Sequence, residues 1–229
     1  METIFFDLDG TLLDHVKAEC LGIKGFYQEY KADFLFSEDI FYKQWCIIGD
    51  KHFGRFLKGE LSYSQQRIER TKEIFSLIGQ RISDKEAEKR FQTYLRIYEE
   101  SWEPFDDVIP CLKELKKYKL GIISNGDQEH QIMKLKSMKI LNNFDIIVTA
   151  GETGFAKPDL KIFQIACERA KVSPSDCCYI GDDYKNDILP CRKIGIKGIW
   201  LNRDAEKYEQ KEINIIFSLK ELKDMLHMQ

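Results

Sequence analysis

The chain has 229 residues, a formal net charge of −3, 43% hydrophobic residues and 32% charged residues. That balance excludes intrinsic disorder and collagen-like repeats and leaves room for one large domain or two small ones. No apolar run exceeds four residues, so no membrane partner is expected, and the near-neutral charge gives no electrostatic case for a nucleic acid partner.

Ile4-Phe5-Phe6 is strand-like and runs into Asp7-Leu8-Asp9-Gly10-Thr11. From about His15 to Glu100 the composition changes: proline is absent, and 15 of the chain's 28 aromatic residues fall in under two-fifths of its length. This stretch reads as helices whose aromatics form the core of a small bundle. Ile68, Ile74, Phe75 and Ile78 before Gly79 predict a helix with a glycine stop. Ser83-Asp84-Lys85-Glu86 has the pattern of a capping box, and Phe91, Tyr94, Leu95 and Tyr98 follow it as an amphipathic stripe.

Beyond residue 100 the pattern alternates. Helix-like Val108–Tyr118 precedes the strand Leu120–Ile123, and Asp145–Val148 is the next strand. A helix is expected over Leu160–Ala170, with Ile162, Phe163, Ala166 and Ala170 on one side. Strands are then expected at Cys178–Ile180, Ile196–Leu201 and Ile213–Phe217, and Ser218–Glu221 is a second capping box. Alternation of strand and helix predicts an α/β fold: a Rossmann-like parallel sheet core with helices on both faces. One strand precedes the helical stretch and several follow it. The expected organisation is therefore a core from residues 1–14 and 101–229, with an inserted α-helical bundle at 15–100.

Polar clusters end four of these strands, where ligands bind in open parallel sheets. Asp7 and Asp9 are two residues apart, roughly 7 Å in an extended chain, and are costly to bury unless a cation neutralises them. Such hard oxygen ligands suit Mg²⁺. An EF-hand loop is excluded, because its glycine and acidic positions hold Leu12 and Ala18. Ser124-Asn125-Gly126 offers a hydroxyl and backbone N–H groups for phosphate oxygens. Lys157-Pro158-Asp159 offers a compact charge before a capped helix. Asp182, Asp183 and Asp187 form an acidic cluster like a cation site. Each cluster alone is also compatible with an ordinary turn, and four in order are not. The seven cysteines show no C-x-x-C spacing and read as reduced thiols, and the first residues carry no secretory signal, so a cytoplasmic setting is expected.

With D-x-D-G-T at Asp7–Thr11, then Ser124, Lys157 and the acids after Gly181, the chain resembles the haloacid dehalogenase (HAD) superfamily across nearly its whole length. The helical insertion resembles that family's cap. The resemblance implies a phosphomonoesterase in which Asp7 is the nucleophile, forming an aspartyl-phosphate, and Asp9 the general acid and base. It implies Mg²⁺ held by Asp7, the Asp9 backbone carbonyl and Asp182, with Asp187 in support. Gly10, Thr11, Ser124, Asn125 and Lys157 would bind the phosphoryl group. Asp183 stands where the family often has a small hydroxyl residue. Asp9 argues against the namesake dehalogenation, since a halide leaves without a proton, and the filled chemical positions argue against a catalytically silent binding protein on the same fold; a phosphomutase remains the alternative reading. Ser124–Gly126 with Gln128, Gln131 and Lys134 is similar to the branch that includes nucleotidases and N-acylneuraminate-9-phosphatase. The expected partner is therefore a small-molecule phosphate ester. Lys51, Arg55, Lys58 and Arg67 in the insertion read chiefly as solvated helix charges.

Overall fold

The computed structural model describes residues 3–205 and 214–227. The chain divides into two compact units, Met1–Asp14 with Glu103–Gln229, and His15–Trp102.

The first unit begins with β1 (Thr3–Phe6). The second unit contains α1 (His15–Glu29), α2 (Glu38–Leu57), α3 (Tyr63–Ser76) and α4 (Asp84–Glu100). Its core is aromatic. Trp45, Phe26, Phe41 and Phe75 are fully buried, and ring centroids of Phe26 and Trp45 lie 4.6 Å apart. The Phe91, Tyr94, Leu95 and Tyr98 stripe is buried on α4 as its spacing predicts. The caps differ from expectation. Ser83 accepts from the Glu86 N–H, but the Glu86 carboxylate turns to Arg90 (2.7 Å), so only half of that box forms. A complete box opens α3 instead, with Ser62 and Gln65 exchanging bonds. Along α3 the buried face is Gln66, Arg70, Thr71, Ile74 and Phe75, so Ile68 falls off it.

The first unit continues with α5 (Val108–Glu114), β2 (Lys119–Ser124), α6 (Gln128–Ser137), β3 (Ile146–Thr149), α7 (Ala150–Thr153), α8 (Leu160–Ala170) and β4 (Cys177–Gly181). After a π-helical turn at Tyr184–Ile188 come α9 (Leu189–Lys193), β5 (Lys197–Leu201), β6 (Asn214–Ile216) and α10 (Leu222–His227). Helix α5 stops earlier than Val108–Tyr118, at Glu114. Ile213 of the last predicted strand lies outside the described residues. Among the described residues the sheet has six strands, all parallel, in the order β3-β2-β1-β4-β5-β6. Ile4, Phe5 and Phe6 are each 0% exposed, so both faces of the central strand are covered, as a parallel sheet requires. Phe5, Ile123, Tyr179 and Trp200 share one face with Ile162, Phe163 and Ala166 of α8, which matches the predicted apolar side of that helix.

A buried ion pair ties the sheet's exit to its entry. Arg203, just after β5, makes a two-pronged pair with Asp107 (2.9 and 3.0 Å) and donates to the Thr11 carbonyl (2.9 Å). Asp107 also accepts from the Ser218 hydroxyl (2.8 Å) and the Leu219 N–H (2.9 Å). Burial works against the Asp107 charge, and these donors, Arg203 foremost, still hold its carboxyl below the ordinary range.

Candidate active site

The carboxyl ends of β1, β2 and β4, with the loop before α8, converge at one place. Asp7 extends the ladder past β1, its N–H bonding the Ile180 carbonyl (2.8 Å). The chain then turns at Gly10, whose φ of +86° belongs to the left-handed region. A Cβ there would also strike the Asp182 carboxylate. Thr11 is fully buried and donates to Asp182 Oδ1 (2.7 Å). Gly10 and Thr11 thus both lie against Asp182 and help to seat it.

Lys157 lies at the centre. Its Nζ donates to Asp7 Oδ1 (2.7 Å), Asp187 Oδ1 (2.7 Å) and the Tyr179 hydroxyl (3.0 Å). The Tyr179 hydrogen is in reach of Asp187 Oδ1 (3.0 Å) and the Ile123 carbonyl (3.1 Å). Burial works against the Lys157 charge, but Asp187 and Asp7 more than reverse this and hold its ammonium above the ordinary lysine range. Pro158 follows through a cis peptide, and Asp159 caps α8 by accepting from the Lys161 N–H (2.8 Å).

Asp9 faces a different set of groups. Its Oδ1 accepts from Lys134 Nζ (2.6 Å) and its Oδ2 from Gln131 Nε2 (2.8 Å), both on α6. Gln131 Nε2 also donates to the Ser124 hydroxyl (2.6 Å). Ser124 is thereby linked to Asp9 through Gln131. The Asn125 side chain is engaged by the backbone. It clamps Lys157, donating to its carbonyl (2.8 Å) and accepting from its N–H (2.6 Å).

Asp182 and Asp187 complete the acidic side. Asp187 is fully buried and accepts from the Asp183 N–H (3.1 Å) besides Lys157. Asp183 is exposed and caps the π-helical turn, accepting from the Lys185 and Asn186 N–H groups (2.9 and 3.0 Å). Such turns often accompany functional sites because they shift side-chain register. One oxygen each of Asp7, Asp182 and Asp187 lie within 4.8 Å of one another. Burial pushes the Asp7 carboxyl well above the ordinary carboxylate range; Lys157 opposes the rise, while Asp187 and Asp182 add to it. Burial, with Asp187, pushes Asp182 up to about 6. Three carboxylates share one ammonium here, so the cluster lacks positive charge. A hard divalent cation fits that deficit and this all-oxygen donor set. Asp9 is not among these three by its side chain, so only its backbone carbonyl is left for the metal role implied by the resemblance.

Several working residues carry no signal that a motif scan finds. Tyr179 looks like a plain strand residue, yet its alternation onto the face shared with α8 brings its hydroxyl to Lys157. Trp200 on β5 donates its Nε1 to the Asp182 carbonyl (2.8 Å). Gln131 and Lys134, noted in the sequence only for the branch they resemble, are three apart, a spacing that sets both on one helical face. In the second unit, Lys51 pairs with Glu73 (2.7 Å) and Arg55 with Glu60 (3.2 Å), as solvated charges do. His52, unassigned from sequence, is buried and bonded to Glu73 (2.7 Å).

Comparison with known proteins bears on the same residues. The family model of the haloacid dehalogenase-like hydrolases matches residues 1–195. A glyceraldehyde 3-phosphate phosphatase of Methanothermobacter thermautotrophicus is 32% identical over 54% of this chain, a match that spans 58% of that protein. The N-acylneuraminate-9-phosphatase of Homo sapiens is 27% identical over 90% of this chain and 84% of its own length. Among solved structures, the magnesium-bound HAD-hydrolase YfnB of Bacillus subtilis has the same fold, with a TM-score of 0.79 at 24% identity and 99% of each chain covered.

Proposed function

Since the chain belongs to the haloacid dehalogenase-like hydrolases, we propose that it is a Mg²⁺-dependent phosphomonoesterase for a small phosphorylated metabolite of the nucleotide or sugar phosphate class. The observation that carries this reading is the divided setting of two neighbouring carboxylates. Asp7 lies 2.7 Å from Lys157 inside the acidic cluster, whereas Asp9 is held by Lys134 and Gln131. In this reading Asp7 attacks and Asp9 handles a proton.

In this mechanism an Asp7 oxygen attacks phosphorus, and the P–O bond to the leaving group breaks as an aspartyl-phosphate forms. Asp9 protonates the departing alkoxide. It then takes a proton from the water that attacks the aspartyl-phosphate, and Asp7 is restored. Lys157 and the Ser124 hydroxyl stabilise the charge on the transferring oxygens. Held by Asp7, Asp182 and the Asp9 carbonyl, Mg²⁺ would supply the positive charge that lets Asp7 stay ionised beside a phosphate. In this reading the inserted unit His15–Trp102 corresponds to the family's cap. The names of the two relatives support a small phosphate ester, and seven unpaired cysteines fit a reducing, cytoplasmic setting. Among the described residues no helix is long and apolar enough to cross a membrane.

Hydrolysis of 4-nitrophenyl phosphate tests the reading. Activity should require Mg²⁺, vanish with EDTA, and fall about 10⁴-fold or more in Asp7→Asn, the scale of losing a nucleophile. Full activity in that variant, or activity indifferent to EDTA, rejects it.

A further inference from the structure

We infer that Gln131 and Lys134 are positioning residues that set the orientation of the Asp9 carboxylate, and that Gln131 at the same time directs the Ser124 hydroxyl. The inference rests on the phosphatase reading above, in which Asp9 handles the leaving group's proton.

The geometry is specific. Helix α6 is capped by Asp127, which accepts from the His130 N–H (3.1 Å), so the first turn is fixed next to the end of β2. Gln131 then lies one turn in, 0% exposed, and Lys134 lies three residues on, 4% exposed. A carboxylate accepts and never donates, so the Gln131 amide must present its nitrogen to Asp9. That nitrogen has two hydrogens. One reaches Asp9 Oδ2 (2.8 Å), and the other reaches Ser124 Oγ (2.6 Å). Ser124 Oγ is thereby an acceptor, and its own hydrogen is directed elsewhere, toward a phosphoryl oxygen in the proposed reaction. Lys134 fixes the remaining Asp9 oxygen (2.6 Å).

The backbone is shaped around this arrangement. A Cβ on Gly126 would lie 2.6 Å from Gln131 Nε2 and 2.7 Å from its Cγ, so residue 126 must lack a side chain for the amide to reach across. Gln131 Oε1 is buried without a hydrogen-bond partner. An amide that tolerates an orphan oxygen while both its hydrogens bridge two groups of the reaction site is held there for its nitrogen. Two carboxylates two residues apart are thus assigned by different scaffolds: Asp7 by the sheet, Asp9 by α6.

An acid can be misplaced without harming esters whose leaving group needs no proton. The test therefore compares 4-nitrophenyl phosphate, a good leaving group, with phenyl phosphate, a poor one, in wild type and in Lys134→Met, Gln131→Leu and Gln131→Asn. The readout is kcat/KM, which reports transfer to Asp7. General acid catalysis contributes about 10²–10⁴-fold, so Lys134→Met should cost phenyl phosphate about 100-fold while 4-nitrophenyl phosphate loses about threefold or less, and the Gln131 variants, which also release Ser124, should lower both esters with phenyl phosphate losing by far the larger factor. Lys134→Arg, which keeps a donor at the same place, should recover most of the loss. Equal losses on both esters, or none on either, overturn the inference. Lys134→Met and Gln131→Asn carry the test where Gln131→Leu fails to fold. Failure of the underlying reading is distinguishable: wild type then hydrolyses neither ester, or Asp9→Asn leaves the ratio between them unchanged.

Discussion

The two units bury charge in different ways. In the helical unit, buried or half-buried arginines lie against rings: Arg70 is 4.6 Å from the Trp45 ring centre, Arg67 is 4.3 Å from Tyr63, and Arg90 is 4.2 Å from Phe75. Arg70 and Arg90 also reach carboxylates, Glu19 (3.4 Å) and Glu86 (2.7 Å), and Arg203 of the α/β unit also lies against a ring, Phe105 (3.9 Å); what sets the α/β unit apart is that its lysines are buried on carboxylates, Lys157 with both Asp7 and Asp187, and Lys134 with Asp9. A cation on an aromatic face is a packing device, with each contact worth about 0.5–2 kcal/mol. A cluster with more carboxylates than cations is strained until a further cation arrives, and that strain marks chemistry more than stability. The contrast separates a unit built to hold its shape from one built to hold a charged ligand.

The contrast can be broken at its strongest point first. Lys157→Met removes the ammonium from the three carboxylates and should abolish turnover while destabilising the metal-free protein by about 3 kcal/mol, near the low end for breaking a buried pair. Added Mg²⁺ should restore part of the stability and none of the turnover; denaturant melts with and without the ion check this. Trp45→Ala, in the helical unit, should cost about 3–5 kcal/mol through the cavity it leaves among Phe26, Phe41 and Tyr94, seen in the same melts.

Asp107→Asn sharpens the comparison within the α/β unit, since that carboxylate is structural and has enough donors. It should cost about 3 kcal/mol at neutral pH. The folded-state pKa of Asp107 lies below the unfolded value of about 3.9, so its contribution is complete well above that pH. It declines below pH about 4 and is gone once pH has fallen through the lowered folded value. The gap between wild type and Asp107→Asn should close over that acid range. The smallest effect is expected at the exposed pair of Arg169 with Glu152 (2.7 Å), where Arg169→Ala should change stability by about 0.5 kcal/mol and weaken further in salt.

Legibility followed the same division. The strands were readable to within about one residue, because short apolar runs end abruptly in polar clusters and parallel strands are buried on both faces. Helix α8 was readable because its apolar positions recur on one face. Helix α6 was not, because its buried face is His130, Gln131, Lys134 and Leu135, mostly polar residues that leave no apolar period. The motif residues Asp7, Asp9, Ser124, Lys157, Asp182 and Asp187 do converge on one site. The Thr11 hydroxyl and the Asn125 amide find partners in the fold, Asp182 and the Lys157 backbone, that no linear spacing reveals. Tyr179 was hidden because an aromatic strand residue has an ordinary core explanation.

The most direct test of the central claim is to quench turnover of a radiolabelled phosphate ester in acid and map the label. The account predicts labelled phosphate on the peptide that contains Asp7, released by hydroxylamine as an acyl phosphate is, and none in Asp7→Asn. Steady turnover with no label on Asp7 at any quench time, or label on another residue, would contradict it.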